Sequence, residues 1–235
     1  MKNKTKTIIT NIIIVLMLVV LSSVTLSFNS TFVANYANNN VIYNGNRNSK
    51  KVTLMLNVYS GTEYIDDILQ TLDEYGVKTT FFVGGVWVEK NLNTFQSIIE
   101  HGHEIGNHGY LHLDHDKLSY NQNVEEILTC NNLVRVYTGY SMRLFAPPSG
   151  AYNNATVEAA TNLGYSTIMW SKDTIDWRDH DTSLIYKRAT NNVMGGDLIL
   201  MHPTKNTAEA LKAILEYYKI NNLTATTVSD NLSIE

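Results

Sequence analysis

Short apolar runs recur along the chain from Lys51 onward, and between them apolar residues fall three and four apart. The runs are Val52–Leu56, Thr79–Val83, Glu104–Asn107, Arg143–Phe145, Thr167–Trp170, Leu198–Met201 and Ala225–Val228. Runs this short, bounded by polar segments, predict strands buried on both faces. The intervening stretches predict helices. Tyr64–Tyr75 aligns Ile65, Ile68, Leu69 and Leu72 on one helical face. Phe95, Ile98 and Ile99 mark a second helix, closed by Gly102. Further helices are predicted over Ser119–Tyr137, Asn154–Leu163, Ser183–Val193 and Thr207–Asn221. Strict alternation of strand and helix implies a parallel sheet. About seven such units suit a distorted or incomplete (β/α) barrel. An open doubly wound sheet is the alternative.

The first 50 residues break this pattern. Lys2, Lys4 and Lys6 precede an uncharged stretch, Thr7–Phe28, whose centre Ile12–Leu21 is wholly apolar. This predicts a secretory signal peptide or an uncleaved membrane anchor over residues 1–28. The lysines then stay inside, and the rest is secreted to the cell wall or anchored facing outside. Residues 29–50 are rich in Asn, Ser and Tyr without a period and read as a linker. One domain over 51–235 follows. Hydrophobic content of 44% suffices for a buried core. The net charge of -4 and the lack of a basic block after the N-terminus argue against nucleic-acid binding. Cys130 is the only cysteine, which excludes internal disulfides and multi-cysteine zinc sites. It falls in a helical pattern with Ile127 and Val134, as a buried, inert thiol would.

Four polar segments follow apolar runs and so fall where barrel active sites form, at the C-terminal ends of strands. They are NHGYLH at 107–112, APPSG at 146–150, DTIDW at 173–177 and LILMHPT at 198–204. His108 and His112 are spaced to share one face of a helical turn and one metal ion. Neutral imidazoles suit zinc or another borderline divalent ion. Catalytic zinc takes three protein ligands; Asp114, His115 and Asp116 lie near enough in sequence to supply a third, or else solvate a loop. His202, ending LILMH, is placed to protonate a leaving amine. Trp177 and Tyr152 offer aromatic walls for a sugar ring. Pro147 and Pro148 shape their loop.

These residues are similar to the polysaccharide deacetylases of the NodB-homology type, which include chitin and peptidoglycan deacetylases. The resemblance covers about residues 50–232. His108 and His112 match the motif H-[ST]-x-x-H with Gly109 at the second position. Ala146–Gly150 matches R-P-P-[YF]-G in part. Asp173, Asp176 and Trp177 match D-x-x-D-W, and Leu200, Met201 and His202 match the last motif. KTTFFVGG and GHEIGNHG add to the likeness.

The resemblance implies an exported, metal-dependent enzyme that removes N-acetyl groups from cell-wall amino sugars. It implies metal at His108 and His112, His202 as the acid, and Asp173 or Asp176 tuning it. It implies a substrate groove containing Pro147, Pro148, Tyr152, Trp177 and Leu200. The first motif, T-F-D-D-G, is where the chain departs: Met55, Leu56, Asn57, Val58 and Tyr59 stand there. In the family the first Asp is the general base and the second binds metal. Asn57 accepts no proton at neutral pH and Val58 ligates nothing. Ala146 replaces the Arg that holds the base, so two losses agree. The expected function is a deacetylase weakened by these changes; the alternative is a non-catalytic relative that binds glycan. A cyclic-amide hydrolase, known on related folds, is disfavoured by export.

Overall fold

A computed structural model describes residues 41–139 and 141–234. The predicted signal or anchor over residues 1–28 lies outside them. Among the described residues no helix is long and apolar enough to cross a membrane.

The longest strand, β2, is preceded by β1 (Val41–Ile42) and spans Lys51–Val58, buried almost throughout. After it come α1 (Ile65–Glu74), β3 (Thr80–Val83), α2 (Gly85–Lys90), α3 (Leu92–Glu100) and β4 (Glu104–Asn107). Then follow α4 (Tyr120–Thr138), β5 (Leu144–Phe145), α5 (Asn154–Asn162), β6 (Ser166–Ile168) and β7 (Lys172–Asp173). The chain ends in α6 (Asp176–Asp179), α7 (Thr182–Thr190), β8 (Leu198–Met201), α8 (Lys205–Ile220), β9 (Thr224–Ala225) and α9 (Val228–Leu232). The sheet runs β1-β6-β5-β4-β3-β2-β8-β7, with β9 also on β2, and every ladder is parallel. Among the described residues β1 and β7 do not pair with each other, so this distorted (β/α) barrel is open between them.

Strand periodicity divides the core in two. Val52, Leu54, Leu56 and Val58 of β2 face outward and pack with Ile65, Ile68, Leu69 and Leu72 of α1 in the larger cluster. Met55 faces inward, to a smaller cluster with Phe82, Leu144, Ala146, Ile168, Leu198 and Val228. Cys130 is buried in the outer cluster, and burial pushes its thiol up to about 12, as an inert thiol requires.

Three expectations are corrected. Ala225–Val228 is not a four-residue strand: the ladder stops at Ala225, and the Thr227 side chain accepts the Asp230 N–H to cap α9. Two strands, β1 and β7, are too short to register as apolar runs. The segment 41–50, read as the end of a linker, enters the sheet: Val41 and Ile42 pair with Thr167 and Ile168, and Asn44 bridges Asp197. Helix α9 closes the bottom of the barrel. Its Val228 N–H donates to Thr80 Oγ1, and Asn231 donates to Thr53 Oγ1 and the Asp197 carbonyl. The opposite end, where the strands finish, stays open.

Candidate functional site

β2, β4, β5, β7 and β8 end around one cavity of about 380 Å³. Asn57, Tyr59, His108, His112, Ser149, Trp170, Asp173, Trp177, Leu200 and His202 line it. All four polar segments singled out in the sequence therefore contribute to one site.

The two histidines reach it from a loop, not from a helical turn. Asn107 ends β4 fully buried; its amide donates to the Ile127 carbonyl, and its Oδ1 accepts the Gly109 N–H. Glu126 of α4 accepts the next two free donors, Tyr110 N–H (2.9 Å) and Leu111 N–H (2.8 Å). Gly109 sits at φ +72, and a Cβ there would lie 3.0 Å from His115 Nε2. A Ser or Thr at this place in the chain would be strained and crowded, which accounts for glycine. His112 also has positive φ, 57.

His108 Nδ1 meets the Ala146 carbonyl at 2.7 Å. A carbonyl only accepts, so Nδ1 carries the proton and Nε2 keeps its lone pair. Ala146 thus lacks the family's Arg side chain and still orients His108 through its backbone. Burial first, then the neighbouring His112, holds His108 well below the ordinary histidine range; burial likewise lowers His112. Both are neutral at pH 7, the form a metal ligand needs. Their ring centroids lie 5.0 Å apart.

A third ligand does not join them. Among the described residues no group of three His, Cys, Asp or Glu could hold a metal ion. Asp114 turns outward to Lys117, and Asp116 is exposed. His115 is buried, not solvating a loop: its Nδ1 donates to Asn123 Oδ1 and its ring packs on Phe145. Val58, where the resemblance places a second Asp, faces the outer core and is fully buried. Asn57 points inward, buried, with Oδ1 lacking a partner. The residues present therefore fall one ligand short of a catalytic zinc site.

Tyr59 fills the front of this face. Its ring stacks on His112 at 3.8 Å between centroids and 24° between planes, and lies edge-on to His202 at 6.0 Å. No periodicity pointed to it; the signal was the bulky residue standing where the family's first motif ends in glycine. Trp170 and Ser149 also line the cavity and were missed.

Asp176 and His202 are tied together at the cavity. Asp176, fully buried, accepts from His202 Nδ1 (2.8 Å), His202 N–H (2.6 Å), Thr207 Oγ1 (2.6 Å) and Trp177 N–H (2.9 Å). It is thus the aspartate that orients His202, leaving Nε2 as the ring nitrogen free to act in the cavity. Asp173 lines the cavity and accepts the Ile175 N–H; burial raises its carboxyl above the usual range. Leu200 and the half-exposed Trp177 line the cavity. Pro147, Pro148 and Tyr152 do not line it; Tyr152 bonds through its hydroxyl to Tyr43.

Comparison with known proteins agrees with this geometry. The profile of the polysaccharide deacetylase family matches residues 44–168. The uncharacterized protein YlxY of Bacillus subtilis is 37% identical over 189 residues, which are 80% of this chain and 59% of that one. The chain thus spans less than two thirds of that relative's length. A peptidoglycan-N-acetylglucosamine deacetylase of Bacillus cereus is 30% identical, covering 79% of this chain and 89% of that one. Among solved structures, a CE4 family pseudoenzyme from Bacillus anthracis superposes with TM-score 0.80 at 35% identity, over 82% of this chain and 69% of that one. A mutant of that pseudoenzyme, described as having restored enzymatic activity, matches equally, at TM-score 0.80 and 33% identity, over 82% of this chain and 71% of that one. The chain belongs to the polysaccharide deacetylase family.

Proposed function

We propose that the cleft binds N-acetylated cell-wall glycan and that the native chain hydrolyses it feebly or not at all. One observation carries this reading. At the first-motif positions Asn57 Oδ1 lacks a partner, Val58 is turned into the outer core, and Tyr59 covers His112. Amide hydrolysis of an N-acetyl sugar needs an activated water, a stabilised oxyanion and an acid for the amine. His202 with Asp176 supplies the acid. Asn57, where the resemblance places the base, accepts no proton at neutral pH, and the lack of a general base costs typically about 10²–10⁴-fold. The glycan as ligand is supported by aromatic walls at Trp177, Trp170 and Tyr59. The likeness to a peptidoglycan-N-acetylglucosamine deacetylase supports the same ligand. The likeness to a pseudoenzyme supports binding without turnover.

The test pairs two measurements on the same chain and the same N-acetylglucosamine oligomer. Calorimetry is expected to register binding, and an acetate assay to register no release above background. Release at a rate typical of an active deacetylase, on the order of 1–10³ s⁻¹, overturns the reading in favour of the enzyme.

Export is part of the proposal, supported by the Lys2, Lys4 and Lys6 cluster ahead of the apolar stretch to Phe28. A reporter fused after Glu235 is expected to work only outside the cytoplasm. Cytoplasmic activity rules out a cell-wall ligand.

A further inference from the structure

Tyr59 does more than stand where the family carries glycine. It borders a second chamber of about 390 Å³, lined also by Tyr64, His180, Thr204 and Lys205. Asn57, Tyr59, Trp177 and His202 belong to both chambers. Each chamber reaches the lower part of the small-ligand range, about 300–1,000 Å³. Tyr59 therefore stands as a partition in one continuous cleft. One face of its ring lies on His112, and 40% of the residue is exposed. Trp177, also common to both chambers, is 52% exposed. Large aromatic residues left this open, facing a concave cleft, are surfaces for an amphipathic ring.

We infer that Tyr59 has converted the metal face of the cleft into a sugar-stacking platform. A pyranose of the glycan packs on the Tyr59 ring, with Trp177 as a second wall, and its neighbours along the polymer occupy the two chambers. The same ring excludes metal. Stacked on His112, it holds that imidazole in an aromatic pair and fills the front of the two-histidine face. Metal and glycan therefore compete through one side chain. This rests on the glycan-binding reading above and adds which residue carries it.

The experiment uses the full-length chain and two separate probes, an N-acetylglucosamine tetramer and zinc ions alone, both followed by calorimetry. The variants are Tyr59→Phe, Tyr59→Leu, Tyr59→Gly and Tyr59→Gly with Asn57→Asp. With the tetramer, Tyr59→Phe is expected to bind like the native chain. Tyr59→Leu and Tyr59→Gly are expected to bind about tenfold more weakly, the loss of one aromatic contact. With zinc, Tyr59→Gly is expected to bind more tightly than the native chain, and Asn57→Asp in that background more tightly still, since Asn57 lines the cavity with His108 and His112 and a third ligand then becomes available. Circular dichroism checks that each variant is folded, and Tyr59→Leu, which keeps an apolar side chain at the strand end, decides the glycan arm if Tyr59→Gly does not fold. Tetramer binding unchanged in Tyr59→Leu overturns the platform while leaving the glycan-binding reading intact. No tetramer binding by the native chain overturns that reading itself, and with it the platform. Zinc binding unchanged in Tyr59→Gly overturns the exclusion of metal.

Discussion

His103 illustrates how far one buried residue sets the chain's response to pH. It is 6% exposed, and its Nδ1 accepts the Thr79 N–H, so protonation there would oppose a donor with a donor. Burial, then the charge of Lys78, lowers it to about 4. The unfolded chain takes up this proton as pH falls through about 6.5. The folded chain resists until about 4. Stability is thus full above 6.5, is lost as pH falls through that window, and levels off below it. The loss for this one group is up to about 3 kcal/mol. In urea titrations, His103→Gln should flatten part of the slope between pH 6.5 and 4, since glutamine offers Thr79 an acceptor without titrating. An unchanged slope would mean that His103 is not the group responsible. At this scale much of the site was legible. His108, His112, His202, Trp177 and Leu200 carry side chains whose chemistry is visible in one letter, and they line the cavity. Tyr152 was misjudged because an aromatic after a loop motif does not reveal which way it turns; here it turns to Tyr43.

At the scale of elements, the loop holding the histidine pair is built from helix α4 rather than from its own sequence. Ser119 and Gln122 form a capping box that fixes where α4 starts, at Tyr120. That start sets the position of Glu126, whose carboxylate takes both the Tyr110 and Leu111 N–H groups. Glu126→Ala removes the acceptor of two part-buried N–H donors; Leu111 itself is 53% exposed, so the cost lies near the low end of about 1–3 kcal/mol each. Denaturant unfolding should register a loss of that order, and Glu126→Gln, which keeps one carbonyl oxygen, should recover most of it. Equal stability of Glu126→Ala and native chain would show that the loop holds itself. The elements missed share one physical cause. Strands β1 and β7 have two residues each, and α2 opens on two glycines, Gly84 as its cap and Gly85 inside it. None is long enough for period to speak, and each exists because neighbours pin it. Ala225–Val228 failed the other way: β-branched residues suggested a strand, and a threonine cap ended it.

For the whole molecule, the division of labour between the two ends of the barrel follows from what closes each. The strand tops are left to the site; the bottom is sealed by α9 and by residues 41–50. Pattern places a boundary at Lys51, because a stretch rich in Asn, Ser and Tyr without period resembles a linker. The structure gives those residues specific work. Gly45 N–H donates to the Gly196 carbonyl (2.7 Å), and Gly196 N–H to the Lys51 carbonyl (2.7 Å). A Cβ on Gly195 would fall 1.6 Å from the Ser49 carbonyl oxygen, a contact only glycine permits. Arg47 pairs with Asp197, a carboxylate 3% exposed in its side chain, which also accepts from Ser171 Oγ and Met194 N–H. Ile42 packs on the inner apolar cluster. Removing this segment strips a buried carboxylate of the Arg47 cation and uncovers β6. Loss of a partner from a fully buried pair costs about 3–5 kcal/mol, and since Arg47 is itself 40% exposed the smaller end applies. A chain begun at Lys51 should therefore unfold at lower urea concentration than one begun at Asn40, by about 2–4 kcal/mol in stability when the Ile42 contact is included. Arg47→Ala in the longer chain should reproduce part of that deficit, and salt should narrow it only slightly because Asp197 is buried. If the two chains unfold alike, residues 41–50 are a linker after all, and the barrel closes without them.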